Sequence, residues 1–134
     1  MSMEIQRLEH ININVADLDA SVAFYRDVIG LEHGIRPNFK NKGAWLYAGE
    51  TPIVHLTFGR CEAQIGSGTF DHFALRAHGS EEFIKRLKNK NIEYDERRVP
   101  DQQIHQIFIK DPDGIIVEIN FDNEMDVGHL ETRQ

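Results

Sequence analysis

Leu8-Glu9-His10-Ile11-Asn12-Ile13-Asn14-Val15 and Phe70-Asp71-His72-Phe73-Ala74-Leu75-Arg76 decide the fold, because they read as one strand written twice, 62 residues apart. Both alternate apolar and polar residues with a period of two, the pattern of a sheet covered on one face only. A histidine stands at the same place in each. An internal repeat of this length predicts a molecule built from two copies of one unit.

The segments that follow each strand repeat as well. After the first, Asp17 or Asp19 can cap a helix whose apolar residues Leu18, Val22, Tyr25, Val28 and Ile29 fall at helical spacing and which ends at Gly30. After the second, Ser80 is the expected cap of a helix with acidic Glu81 and Glu82 in its first turn and Lys85, Arg86, Lys88 and Lys90 towards its end, in keeping with the helix dipole. Three strands then follow in each half. In the first they are expected at 32–36, 44–48 and 53–58, with Gly49-Glu50-Thr51-Pro52 as a turn. In the second they are expected at 92–97, 105–109 and 115–121, with Asp111-Pro112-Asp113-Gly114 as the turn. The expectation is an α+β chain of two βαβββ modules, about 5–65 and 69–122, forming a single domain over 1–134. Gly66-Ser67-Gly68 would link the modules, and the polar tail after Asn123 would lie on the surface or fray.

Composition narrows the function. At 134 residues the chain has room for one domain of ordinary size, and 40% hydrophobic with 28% charged residues is normal for a folded protein. Fifteen Lys and Arg against 22 Asp and Glu leave a net charge of −7 with no basic run, which argues against nucleic acid and against an anionic membrane as partners. The single cysteine, Cys61, cannot form an internal disulfide or a Cys-rich zinc site and is read as structural. The first ten residues lack a secretory pattern and no stretch is apolar enough to span a membrane, so a cytoplasmic location is expected.

The seven histidines carry the functional signal. Alternation along a strand puts His10 with Asn12 and Asn14 on one face, away from Ile11, Ile13 and Val15. By the same parity His72 lies with Ala74 and Arg76, His55 with Ile53 and Thr57, and Glu118 with Ile116 and Asn120. His10 to His55 spans 45 residues and His72 to Glu118 spans 46, so the pairs hold near-equivalent places in the two halves. Imidazoles with a carboxylate suit a borderline divalent ion: Zn²⁺, Ni²⁺, Co²⁺, Mn²⁺ or Fe²⁺. His105 begins a strand and is a candidate acid or base. Arg36, Asn38, Tyr47 and Arg98 are candidate substrate contacts, and His33, His78 and His129 are expected to be solvated.

The segments 8–13, 17–31, 70–74 and 111–118 together resemble the vicinal oxygen chelate superfamily, which includes glyoxalase I, fosfomycin-resistance proteins, extradiol dioxygenases and bleomycin-resistance proteins. The resemblance covers about 5–122. It implies a U-shaped, partly open barrel-like sheet and a divalent ion held by His10, His72 and Glu118, with His55 at the fourth ligand position. There the chain departs from glyoxalase I, which usually has a carboxylate. The function expected is a metal-dependent lyase or isomerase acting on a small oxygen-chelating substrate through an enolate or oxyanion, with Glu118 as ligand and base. The alternatives are an Fe(II) extradiol-type dioxygenase and a metal-free ligand-sequestering protein. A homodimer is also expected.

Overall fold

The computed structural model describes residues 2–59, 66, 70–99 and 104–122. Cys61, His129, most of the expected linker and the tail after Asn123 lie outside them. The chain divides into two compact units, Met1–Gln64 and Ile65–Gln134.

In the first unit β1 (Ile11–Asn14) leads into α1 (Leu18–Ala23), which widens into a π-helical turn over Phe24–Ile29. Of the two aspartates that could cap α1, the structure uses Asp17, whose side chain accepts from the Ala20 N–H at 3.0 Å. The helix stops at Gly30, in the left-handed region at φ 97°, where a side chain would be strained. β2 (Glu32–Gly34), β3 (Lys42–Ala48) and β4 (Thr51–Phe58) complete a sheet of order β1-β4-β3-β2. β4 begins two residues earlier than the turn chemistry suggested. A register shift at Leu46/Tyr47 lets Pro52 stand opposite Tyr47, which shortens the connection to Gly49 and Glu50.

The second unit repeats this plan with β5 (His72–Ala77), α2 (Ser80–Asn89), β6 (Asp95–Val99), β7 (Ile104–Lys110) and β8 (Ile116–Asp122), ordered β5-β8-β7-β6. Both units pair their first and last strands in parallel and the others antiparallel. Ser80 is the first residue of α2 and not its cap; that position belongs to Gly79, at φ 92°. The turn before β8 forms as its residues demand, with Asp111 Oδ1 accepting from the N–H groups of Asp113 and Ile115, both at 2.9 Å.

One face of each sheet is dry. Val15, Tyr25, Leu46, Val54 and Leu56 pack in the first unit, and Leu87, Ile107, Val117 and Phe121 in the second, all nearly inaccessible. Removing each from water is worth roughly 1.5–3 kcal/mol, so the alternation that hides them also fixes the register. His55 of β4 and His72 of β5 are thereby committed to the opposite face, and His10, one residue before β1, stacks on His55 there. No helix among the described residues is long and apolar enough to cross a membrane.

Candidate functional site

Register makes the two units equivalent residue by residue. Asn12 stands opposite His55 in one, and Ala74 opposite Glu118 in the other. Across the next strand Trp45 faces His55, and Phe108 faces Glu118. Each unit therefore sets a histidine at its first strand (His10 one residue before β1, His72 the first residue of β5), a ligand-type side chain on its last strand and an aromatic ring beside that.

In the second unit Glu118 is buried, and its two oxygens have different surroundings. Oε2 accepts from Gln106 Nε2 at 3.1 Å and from Asn120 Nδ2 at 2.7 Å, whereas Oε1 lies 3.0 Å from His72 Nε2. The other nitrogen of His72, Nδ1, is 2.7 Å from Asp71 Oδ2. Both ring nitrogens thus meet carboxylate oxygens. A neutral imidazole carries a single N–H, so a proton or another cation has to sit between Nε2 and Oε1. Two donors placed at right angles around a divalent ion with bonds of about 2.1 Å lie about 3 Å apart, which this gap matches. The Asp71 carboxylate holds the remaining N–H, the outer arrangement that orients metal-binding histidines.

The first unit repeats the device. His10 Nδ1 is 3.0 Å from Glu9 Oε1, which leaves Nε2 as the lone-pair nitrogen of a neutral ring, and His55 Nε2 donates to the Pro52 carbonyl at 3.0 Å, which leaves its Nδ1 in that role. The rings of His10 and His55 stack at 3.7 Å and 10°, and Trp45 stacks on His55 at 4.1 Å and 15°. Burial is the main reason the His55 pKa lies below its ordinary 6.5, with the charges of His10 and Arg36 adding to it against the Pro52 hydrogen bond and Glu9. The neutral imidazole that a metal requires is the favoured form. Within each unit, among the described residues, no three His, Cys, Asp or Glu side chains gather at one point. The candidate ligands come as two pairs.

The remaining candidates divide. Tyr47 is on the same face as His55, but its hydroxyl donates to the Ile35 carbonyl at 2.6 Å. Asn38 is exposed, whereas Arg36 is half-buried and its charge reaches His55. His105 and Arg98 need correction. They stand opposite each other on β7 and β6, and His105 is in register with Phe121, so both lie on the helix side of the sheet, away from Glu118. His105 is 2% exposed and its Nε2 bonds Glu96 at 2.8 Å, which makes it part of the packing.

Parity along β6 instead selects Arg97, opposite Gln106 and hence on the face of Glu118, with its guanidinium 4.8 Å over the Phe108 ring. A groove of about 840 Å³ opens there, lined by Tyr94, Arg97, Phe108, Lys110 and Ile116 among others. Arg97, Gln106, Phe108 and Trp45 were not among the expected site residues. Parity could have found them, since each shares a face with a candidate ligand.

The family model described as Glyoxalase/Bleomycin resistance protein/Dioxygenase superfamily matches residues 7–119. The chain belongs to this superfamily. Members similar to it include a lactoylglutathione lyase of Salmonella typhimurium, 28% identical over 84% of this chain and 90% of the relative, and Glyoxylase I 4 of Arabidopsis thaliana, 27% identical over 87% and 71%. A fosfomycin resistance protein of Listeria monocytogenes, solved with Mn(II), superposes with a TM-score of 0.69 at 20% identity, covering 89% of this chain and 94% of that one. The superfamily fold accounts for the two α+β units with open four-stranded sheets.

Proposed function

We propose that the protein is a metal-dependent lyase or isomerase for a small substrate with adjacent oxygen atoms, and that His10, His55, His72 and Glu118 hold its divalent ion. The observation that carries this reading is His72, both of whose ring nitrogens face carboxylates while Glu118 is anchored through its other oxygen. A bound ion would supply Lewis-acid polarisation of the substrate oxygens. This fits the lactoylglutathione lyases among its relatives.

The chain's own residues do the rest. Gln106 and Asn120 fix Glu118 Oε2, so Oε1, which faces His72 Nε2 at 3.0 Å, is the oxygen positioned to take a proton from a substrate carbon and return it to a neighbouring one. Phe108 and Arg97 wall the groove beside it and would hold the body of the substrate away from water. We place the protein in the cytoplasm, as a homodimer.

Glu118→Gln tests the base. It keeps the size of the side chain and one oxygen, and is expected to abolish turnover on a panel of α-oxo hemithioacetals and epoxides tested with Mn²⁺, Ni²⁺, Co²⁺ and Zn²⁺. Retained turnover would remove Glu118 as the base. Oxygen uptake with catechols and Fe²⁺ would replace the reading with the dioxygenase one.

A further inference from the structure

Arg36 has no acidic partner among the described residues, in a chain whose acids outnumber its bases by seven. Among the described residues its Nε is buried without a hydrogen-bond acceptor, and so is Nδ2 of Asn41 at the other end of the same connection. Buried donors left open in this way are uncommon, and both lack the same thing.

The guanidinium is nonetheless firmly placed. Phe39 covers it, ring centroid to Cζ 4.9 Å. A Cβ on Gly43 would come within 2.6 Å of its Nη2 and 2.8 Å of its Cζ, so the group lies where a side chain of residue 43 would project. Gly43 stands opposite Thr57, and two residues on Trp45 stands opposite His55, so that side of β3 is the one that carries the His10–His55–Trp45 stack. Glycine at 43 leaves room for the arginine to lie flat across the sheet. Phe39 and Trp45, 6.4 Å apart and inclined at 48°, form an apolar corner next to it.

We propose that Arg36 is an anion-recognition residue and that the Phe39–Trp45 corner beside it takes a flat organic carboxylate. A planar guanidinium pairs with a carboxylate through two parallel hydrogen bonds, and the aromatic corner favours an unsaturated or aryl body over a bulky one. The inference rests on the reading above in treating this face as the substrate side, and adds that the substrate is an anion.

Trp45 is the chain's single tryptophan, so its fluorescence reports on this corner alone. The full-length, metal-free protein is titrated with benzoate and with its neutral analogue benzamide. Benzoate is expected to change Trp45 emission saturably in the millimolar range or below, at least tenfold more tightly than benzamide. Arg36→Met is expected to lower the benzoate affinity at least tenfold and to leave benzamide unchanged, and Arg36→Lys to restore part of the loss. Should Arg36→Met not fold, Asn41→Ala serves, with a smaller loss confined to benzoate.

Equal affinity for the two probes, no saturable response to benzoate, or unchanged benzoate binding in a folded Arg36→Met protein would each overturn the proposal. A parallel Zn²⁺ titration separates it from the reading above. Arg36-dependent benzoate binding in a protein that takes up no Zn²⁺ supports the anion site and sinks the metal enzyme. Zn²⁺ uptake without discrimination between the probes does the reverse.

Discussion

Asn120→Leu removes one of the two amides that hold Glu118 while keeping the volume of the side chain. In the native protein Glu118 Oε2 takes bonds from Asn120 at 2.7 Å and Gln106 at 3.1 Å, the former being the shorter. A hydrogen bond to a charged group is worth about 1.5–3 kcal/mol, and removing an outer partner of a metal ligand costs about 10- to 100-fold in metal affinity. Gln106 remains to orient the carboxylate, so the loss belongs at the lower end, about tenfold or 1.4 kcal/mol. Isothermal titration of Zn²⁺ into metal-stripped protein measures it, with Asn38→Ala, an exposed change, as the control. An affinity within twofold of the wild type in a folded Asn120→Leu protein would refute the claim that this amide prepares Glu118 for a metal.

Three further outcomes are expected. In the metal-free protein, Trp45 emission should fall as the stacked His55 takes up a proton, with a midpoint below 6.5, because burial disfavours the imidazolium. His55 binds its proton less readily folded than unfolded, so stability is held above pH 6.5 and declines as the pH drops through the folded value; a midpoint at or above 6.5 contradicts this. Ile107→Ala, at a fully buried position of β7, should cost about 2–5 kcal/mol in urea unfolding, and a loss under 1 kcal/mol would mean that the helix-side face is not the core. Light scattering should report a dimer at micromolar concentration, and a monomer would remove the assembly expectation.

The strand-and-helix plan was legible because the repeat carries its own check. One period-two pattern found twice, each followed by a helix and by turn residues in the same order, leaves little freedom for another topology. The ligand faces were legible for the same reason. What the sequence could not convey was the phase of β6. A strand expected at 92–97 ends before Arg98, so parity has no hold on that residue. The strand runs Asp95–Val99, and its pairing with β7 sets Arg98 against His105, on the dry side. His105 reads as polar and available in the sequence, yet it is buried and its Nε2 is held by Glu96 on the neighbouring strand at 2.8 Å, a cross-strand pair that spacing alone does not reveal. Arg36 was visible as a candidate, but its mode of support depends on a glycine seven residues away whose missing side chain makes the room.

The central claim, that one divalent ion is held by His10, His55, His72 and Glu118, is tested most directly by elemental analysis of dialysed protein. Wild type and the exposed controls His33→Ala and His78→Ala should each retain about one equivalent of metal per chain, whereas His72→Ala and Glu118→Ala should retain almost none. Equal metal content in all five proteins would contradict the account.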